Sequence, residues 1–258
     1  MARERKVRKM IELELADATL FKRCIDSIAV LVDEAEFLIG ANGLTLKATD
    51  PSQISMVDFE LGEKAFKKFK VERQSKIGVD LDYLSQIMSR AKAGEELRIS
   101  VDEKATNLLL EFSGKAKRSF SLPLIDVSSV DLPSPKIDFD AEIKINASVI
   151  QDGLKDASLI GTHISLGVDA EKFFMKAHSS KGTLNHETTK KEKTLSELKV
   201  KKEAKAMFPL DYLADMLKAA DSGTEIDLNL KANAPVRISY KIGEATITYF
   251  LAPRIESD

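Results

Sequence analysis

The tetrapeptide LDYL occurs twice in the chain, at residues 81–84 and again at residues 210–213. The two copies lie 129 positions apart, which is half of the 258-residue chain. The same offset relates LTLKA at residues 44–48 to FFMKA at residues 173–177. One short match could arise by chance, but matches that keep one register predict a duplicated domain.

Both halves of the chain contain the same succession of predicted helices and strands. A first helix with apolar residues at helical spacing is predicted over residues 18–32, and its counterpart over residues 147–159. Each LDYL copy begins a second helix, whose apolar residues form a single stripe. Alternating segments such as EFLIG and IDLNL predict antiparallel strands. The sequence therefore predicts an α+β fold: two similar domains of antiparallel sheets with two helices each.

A proline-rich segment separates the two halves. Residues 122–136, LPLIDVSSVDLPSPK, hold three prolines among serine and apolar residues, which is typical of a connector that crosses a protein surface. We therefore predict an N-terminal domain over residues 10–121, an interdomain connector over residues 122–136 and a C-terminal domain over residues 137–256.

The composition argues against several classes of protein. The net charge of −2 is not that of a protein that is basic all over, although it allows one basic face. Cys24 is the only cysteine, so no intrachain disulfide can form, and this favours a cytosolic or nuclear protein. No apolar run approaches the ~18 residues that a membrane span needs, so we predict no membrane partner.

A search for catalytic motifs finds none with the required spacing. The sequence lacks the phosphate-binding loop, the dinucleotide fingerprint, the HExxH zinc motif and the GxSxG nucleophile motif. Three histidines and one cysteine also make a poor ligand set for zinc. We therefore predict no cofactor, no metal and no enzymatic activity. The alternative is an enzyme whose catalytic residues are dispersed along the chain.

The predicted helices carry cations beside their apolar stripes. If the helices lie side by side, these cations would form a stripe that contacts DNA phosphates without reading bases. The alternative is the ordinary charged surface of amphipathic helices, because Asp26, Asp152 and Asp215 lie on the same helices. The candidate DNA-binding residues are Lys22, Arg23, Arg90, Lys92, Lys155 and Lys218.

Three segments resemble a known family. They are NGLTLKATDPSQISMVDFEL at residues 42–61, LPLIDVSSVDLP at residues 122–133 and YFLAPRIE at residues 249–256. They look like segments of the sliding clamps of archaea and eukaryotes, the proliferating cell nuclear antigen (PCNA) family. The resemblance implies a subunit of two similar domains, three of which form a closed ring whose helices line a hole for duplex DNA. It also implies that the DNA is not hydrolysed and that an ATP-driven clamp loader opens the ring.

The resemblance further implies a pocket for short peptide motifs of DNA polymerase, the clamp loader, flap endonuclease and ligase. The apolar C-terminal tail, broken by Pro253, would form one wall of this pocket, and its backbone could pair with an incoming strand. The alternative is a tail that packs only on the neighbouring core. The implied pocket residues are Thr49, Gln53, Ile54, Leu132, Ser134, Pro135, Pro235, Phe250, Ala252, Pro253 and Ile255.

Ring closure would cover sheet edges by head-to-tail pairing of subunits. The resemblance places residues 115–121 against residues 173–181 of the next subunit. Both segments are cationic, so like-charge repulsion would weaken a homotrimer, and a ring that needs different partner subunits is the alternative. The implied interface residues are Lys115, Lys117, Arg118, Phe120, Phe174, Lys176, His178 and Lys181.

Three further expectations concern the chain as a whole. The basic segment ARERKVRKM at residues 2–10 is either a solvated extension or an extra DNA-contacting arm. The protein would be cytoplasmic and nucleoid-associated in an archaeon, or nuclear in a eukaryote. The alternative to a sliding clamp is a duplicated protein-interaction module that never encircles DNA; it would share the peptide pocket but need no clamp loader.

Overall fold

The chain folds into two compact units. The structure is a computed structural model and describes residues 9–102, 104–127 and 132–254. Unit 1 contains the described residues up to Ala48, those between Phe59 and Leu132, and the short segment Ile242–Ala245. Unit 2 contains Thr49–Asp58, Pro133–Lys241 and the described residues from Thr246 onward. Residues 49–58 of the first half thus belong to the unit that is built mainly from the second half.

The first half of the chain contains two helices, α1 (Ala18–Ala29) and α2 (Leu81–Met88), among its described residues. One 3-10 turn, Glu63–Ala65, lies between strands in the described part of this half. The strands are β1 (Lys9–Leu15), β2 (Glu34–Gly40), β3 (Gly43–Thr49), β4 (Ser55–Gly62), β5 (Lys68–Val71), β6 (Ser75–Asp80), β7 (Glu96–Asp102), β8 (Asn107–Ser113) and β9 (Lys117–Pro123).

The second half repeats this order of elements. Its helices are α3 (Ala147–Ser158) and α4 (Leu210–Leu217). Its strands are β10 (Ala141–Asn146), β11 (His163–Val168), β12 (Lys172–Ser179), β13 (Gly182–Thr189), β14 (Leu195–Val200), β15 (Ala204–Pro209), β16 (Glu225–Leu230), β17 (Val236–Ile242) and β18 (Ala245–Leu251). In the described residues each half therefore reads strand, helix, five strands, helix and three strands, as a duplicated domain predicts.

Each unit combines antiparallel sheets with a pair of packed helices. In unit 1 one sheet has the strand order β5-β1-β7-β8-β9. A second sheet contributes the neighbouring strands β4-β3-β2-β6, and α1 packs against α2. In unit 2 the orders are β13-β12-β11-β15 and β14-β10-β16-β17-β18-β4, and α3 packs against α4. The predicted fold class, with antiparallel sheets and two helices in each half, is confirmed.

The predicted start of α1 is confirmed, whereas its predicted end is wrong. Asp17 caps the helix by accepting a hydrogen bond of 2.9 Å from the backbone N–H of Thr19. The helix ends at Ala29, although the apolar spacing extends to Val32. Leu31 and Val32 are buried outside the helix, so the hydrophobic pattern continues after the helical backbone has stopped.

The segment ANG at residues 41–43, a typical hairpin-turn sequence, forms the turn between β2 and β3. Gly40 pairs with Gly43, and Gly43 has φ of +139°, a conformation that favours glycine. A Cβ at this position would lie 2.2 Å from the carbonyl oxygen of Leu61, so the turn has no room for a side chain at residue 43.

Among the described residues, no helix combines the length and apolar character required to cross a bilayer.

Candidate functional site

The carboxylate of Asp50 organises the loop between β3 and β4. It is buried, and its Oδ1 accepts hydrogen bonds from the backbone N–H groups of Ile54 at 3.0 Å and Ser55 at 2.7 Å. Its Oδ2 accepts a further bond of 3.0 Å from the N–H of Ser52. One side chain therefore fixes three backbone amides of the same loop. Gln53, at the apex, is held at φ of +57°, which is unusual for a residue other than glycine.

Tyr212 of α4 holds the same carboxylate from the other side. Its hydroxyl donates to Oδ2 of Asp50 at 3.0 Å, which ties the loop to the start of α4 within unit 2. Burial would by itself raise the pKa of Asp50, but the hydrogen bonds from Ser55, Tyr212 and Ser52 outweigh it and lower that pKa below 3.8. Asp50 is thus held ionised, as an acceptor for the whole loop.

The C-terminal tail lies against this loop. After β18 ends at Leu251, the backbone N–H of Ala252 donates to the carbonyl of Ile54 at 2.8 Å. Phe250 is 7% exposed, whereas Ala252 and Pro253 are half-buried. The loop and the tail therefore form one partly apolar surface of unit 2, of the kind that binds extended peptides.

The edge of β15 fixes the end of the tail. Arg254 N–H donates to the carbonyl of Met207 at 2.7 Å, and Asn233 N–H donates to the carbonyl of Lys205 at 3.2 Å. Pro253 has no N–H, and both neighbouring amides are already engaged within unit 2. An incoming peptide would consequently find carbonyl acceptors but no amide donor at residues 252–254. This limits the strand pairing that the sequence suggested.

The candidate DNA-facing residues of unit 1 lie on or directly after its two helices. Lys22 forms an ion pair of 2.5 Å with Asp26 one turn later, and Ser85 of α2 donates to the same carboxylate at 3.2 Å. Arg23 is half-buried, whereas Arg90 and Lys92 follow α2 and are exposed. The charge of Lys22 is therefore partly neutralised on its own helix, and Arg90 and Lys92 are the more accessible cations.

Unit 2 shows the same contrast between its two candidate cations. Lys155, near the end of α3, forms an exposed ion pair of 3.0 Å with Asp152. Lys218 is exposed at the C-terminal cap of α4. Burial and the charge of Asp211 raise the pKa of the neighbouring Asp215, against the opposing effect of Lys218. Each unit thus presents at least one accessible cation immediately after its second helix.

Comparison with known proteins decides what these features belong to. The family model of the proliferating cell nuclear antigen N-terminal domain matches residues 10–134, and that of the C-terminal domain matches residues 134–255. The chain belongs to the PCNA family. The predicted family and its two-domain fold are thereby confirmed.

The relatives of this PCNA-family chain include archaeal proteins of full length. The DNA polymerase sliding clamp of Thermofilum pendens is 34% identical over 249 residues, which span 96% of this chain and all of that protein. PCNA from Thermococcus kodakaraensis has the same fold, with a TM-score of 0.91 at 24% identity over 95% of this chain and 100% of that one. A. fulgidus PCNA, solved with the C-terminal region of FEN-1, gives a TM-score of 0.88 at 28% identity, covering 96% of this chain and 100% of that one.

The structure places most of the predicted pocket residues in unit 2. The hydrogen bond between Ala252 and Ile54 brings the tail and the loop together, and Ser134 Oγ donates to Asp58 in the same unit at 3.1 Å. Gln53 and Pro135 are exposed. Leu132 belongs to unit 1, and Ile255 lies outside the described residues, as do residues 2–8 of the basic segment. Those half-buried in unit 2 are Thr49, Ile54, Ser134, Pro235, Ala252 and Pro253.

Sequence reasoning missed the residues that build this surface. Asp50, Tyr212 and Met207 were not among the candidates, although they fix the loop and the tail through hydrogen bonds. The sequence contained one usable signal, since Asp50 opens the DPSQIS turn and aspartate commonly accepts from amides two residues later. The contact with Tyr212, 162 positions away, has no local signature.

The predicted pairing edge of the clamp subunit needs a correction. Phe174, Lys176 and His178 lie on β12, which pairs with β11 on one side and with β13 on the other. The backbone of β12 is therefore occupied within its own sheet, and residues 173–181 do not supply the open edge. That edge is β13, and β9 is the corresponding edge strand of the five-stranded sheet.

The other predicted interface residues of this PCNA-family chain lie on or near these two edge strands. Lys115 is exposed just before β9, and Lys117 pairs with Glu111 at 2.9 Å. Phe120 packs edge-on against Phe112, with ring centroids 5.8 Å apart. Lys181 is exposed in the turn between β12 and β13. β13 itself carries Glu187, so the opposing edges are not both cationic, as they were expected to be.

The side chain of Arg118 makes contacts inside its own subunit. Its guanidinium lies over the ring of Phe112 at 5.0 Å and pairs with the buried Glu95 at 2.5 Å.

In the described parts of the chain, no group of three or more His, Cys, Asp or Glu side chains could hold a metal ion.

Proposed function

We propose that this chain is the subunit of a ring-shaped DNA sliding clamp that tethers DNA polymerase and other replication and repair enzymes to duplex DNA, without catalysis of its own. The observation that carries the proposal is the match of both PCNA family models, in order, over residues 10–255. The clamp domains would comprise residues 10–121 and 137–256, joined by a connector over residues 122–136. Because the named relative is archaeal, we place the protein with the nucleoid in an archaeal cytoplasm.

The contact with DNA is assigned to the accessible cations at the ends of the helices. The side chains of Arg90, Lys92 and Lys218 are exposed and can contact phosphates without reading base edges. Such contacts are independent of sequence and weaken steeply with salt. Enclosure by the ring, rather than tight binding, would keep the clamp on DNA while it moves along the duplex. The clamp loader is the partner that would open the ring.

Partner enzymes are assigned to the loop and tail of unit 2. The half-buried apolar groups of Ile54, Ala252 and Pro253 suit the apolar side chains of a short peptide, and the Pro253 carbonyl suits its amides. The complex of A. fulgidus PCNA with the C-terminal region of FEN-1 supports this class of partner. Polymerase, flap endonuclease, ligase and the clamp loader would share the surface by carrying similar motifs.

The peptide surface can be tested with one blocking substitution. In Ala252→Arg, a long cation replaces the half-buried methyl group beside Ile54, so the C-terminal peptide of a flap endonuclease should lose measurable binding by calorimetry. Ala170→Arg places the same side chain at an exposed turn of unit 2 and should bind the peptide like the wild type. Equal binding by both variants would remove the loop and tail from the site.

Ring closure is assigned to β9 of one subunit and β13 of the next. Both are edge strands, and a homotrimer would cover them head to tail. β13 carries Glu187, which pairs with Lys172 at 2.7 Å in its own sheet, so the edge that would meet β9 is of mixed charge rather than cationic. This favours a homotrimer over a ring that needs different partner subunits.

The mass of the protein in solution tests the ring. Wild-type chain should elute with three times the 28.5 kDa chain mass under light scattering. Leu184→Asp puts a carboxylate on β13 and should yield monomers, whereas Leu198→Asp, a half-buried leucine on the edge strand β14, should remain trimeric. A monomeric wild type that still binds peptide would instead favour the protein-interaction module.

A further inference from the structure

The loop between α2 and β7 is fixed at both ends by one ion pair. It spans residues 89–95 and carries Arg90 and Lys92, two of the exposed cations assigned to DNA. Glu95, at its end, is 7% exposed, and its Oε2 lies 2.5 Å from Nη2 of Arg118 on β9. A buried carboxylate needs such a partner, because burying an unpaired charge is costly.

Each member of the pair also binds the loop backbone. Arg118 donates through Nη1 to the carbonyl of Arg90 at 3.1 Å. The backbone N–H of Lys92 donates to Oε2 of Glu95 at 3.0 Å, and the N–H of Glu95 donates back to the carbonyl of Lys92 at 3.2 Å. The backbones that carry both cations are therefore fixed by the same two side chains.

The surroundings of the pair are built to hold it. The Arg118 guanidinium lies over Phe112, its cross-strand partner on β8. A Cβ at Gly114 would lie 2.8 Å from Cγ of Glu95, so glycine leaves the space that the glutamate occupies. The Glu95 carbonyl also accepts from the N–H of Ala18, the first residue of α1, at 2.8 Å. The pair thus joins β9, the loop and the start of α1.

Arginine is needed at position 118 for a geometric reason. Its planar guanidinium donates at two fixed positions at once, to a carboxylate and to a backbone carbonyl. A lysine ammonium keeps the charge but cannot reproduce this fork. Replacing Arg118 by lysine therefore changes the geometry of the loop without changing the net charge of the chain.

We propose that Glu95 and Arg118 are positioning residues for DNA contact, which hold Arg90 and Lys92 toward the duplex through the backbone of their loop. This inference rests on the proposed function, in which those two cations meet DNA phosphates. Since Arg118 lies on β9, the loop is also attached to the strand that would close the ring. The position of the DNA-contacting loop therefore depends on the strand that forms the joint between subunits.

The test is the salt dependence of binding to a short linear duplex, measured by fluorescence anisotropy on variants confirmed as trimers. Removal of both cations in Arg90→Ala/Lys92→Ala should reduce the slope of log affinity against log salt by about 1.8 for each subunit of the ring that contacts the duplex, since each phosphate contact contributes roughly 0.9. Arg118→Lys should cause at least half of that loss. It should cause no further loss in the Arg90→Ala/Lys92→Ala background, because the pair acts through those cations.

Arg98→Lys is the matched control. Arg98 binds Oε1 of Glu14 through two nitrogens at 2.9 and 2.8 Å on the exposed face of β7, so the change removes a comparable pair of arginine contacts that does not involve the loop backbone. It should leave the salt slope unchanged. If Arg118→Lys does not fold, Glu95→Gln, which keeps the shape of the side chain, should show the same loss of slope.

Two outcomes would overturn the inference, and they differ in what they leave standing. A wild-type slope in folded Arg118→Lys, with loss in Arg90→Ala/Lys92→Ala, would make the pair purely structural and leave the proposed DNA contact intact. An unchanged slope in Arg90→Ala/Lys92→Ala would remove the loop from the DNA contact, and with it both the positioning role and that part of the proposed function.

Discussion

The hydroxyl of Tyr212 donates a hydrogen bond of 3.0 Å to the carboxylate of Asp50, 162 positions earlier in the chain. Tyr212 belongs to the second LDYL copy, and its equivalent in the first copy, Tyr83, is 46% exposed. The same tetrapeptide therefore has two different roles. In unit 2 it fixes the loop that we assign to partner peptides.

Tyr212→Phe should weaken both the fold and the peptide surface. It removes the donor to a buried carboxylate, so we expect the free energy of unfolding to fall by about 1.5 to 3 kcal/mol, the usual range for a hydrogen bond to a charged group. Urea denaturation and peptide calorimetry measure the two effects. Tyr83→Phe is the matched control from the repeat and should change neither; equal effects in the two variants would contradict the role of Tyr212.

The pH dependence of stability should reveal the ionised Asp50. Its pKa in the folded chain lies below 3.8, so its stabilising contribution is complete above that value and is lost as the pH falls through the folded pKa. The difference in unfolding free energy between wild type and Asp50→Asn should be constant from neutral pH to about 5 and shrink below 3.8. A difference that grows as the pH falls would mean that folding raises the pKa of Asp50 instead of lowering it.

The ion pair on α3 predicts an order of importance between two of the DNA-facing lysines. Asp152 neutralises part of the charge of Lys155, so Lys155→Ala should reduce DNA affinity at low salt less than Lys218→Ala does. Asp152→Asn removes the acid and should increase affinity, with a steeper salt dependence. Anisotropy titrations at several salt concentrations provide the measurement. A stronger effect at Lys155 than at Lys218 would contradict the ranking.

The repeat and the apolar spacing were sufficient to predict the fold class, but not every strand. The helix starts at Ala18, Leu81 and Leu210 follow directly from the sequence, because capping residues and apolar stripes are local signals. Strands β5, β6, β13 and β15 were missed. KFKV is short and carries two lysines, and GTLNHETT is mostly polar, so neither shows the apolar alternation of a half-buried strand.

The candidate site was predictable only where its residues carry a local pattern. The cations at Arg90 and Lys218 were found because they follow recognisable helices. Glu95 and Arg118 were not predicted to pair, since their contact depends on how β9 folds back beside the loop after α2. The assignment of β12 as an open edge failed for the same reason, as sheet order is set by long-range pairing that a local pattern does not encode.

The buried thiol of Cys24 offers a test of the α1 core. Burial raises its pKa to about 12, against the opposing charge of Arg23, so the reactive thiolate is scarce near neutral pH. A thiol reagent should modify the native protein slowly and the urea-unfolded protein quickly. Ser180→Cys adds an exposed thiol as control and should react at once; equally fast reaction of Cys24 would contradict its place in the core.

Retention on DNA of defined topology tests the sliding clamp most directly. The chain is loaded by its clamp loader and ATP onto a nicked circular plasmid, washed in high salt, and the plasmid is then cut once. An enclosing ring should stay on the circle through the wash and be lost on cutting, because its hold is topological and its phosphate contacts are screened. Equal loss from circular and linear DNA in the wash would contradict encirclement.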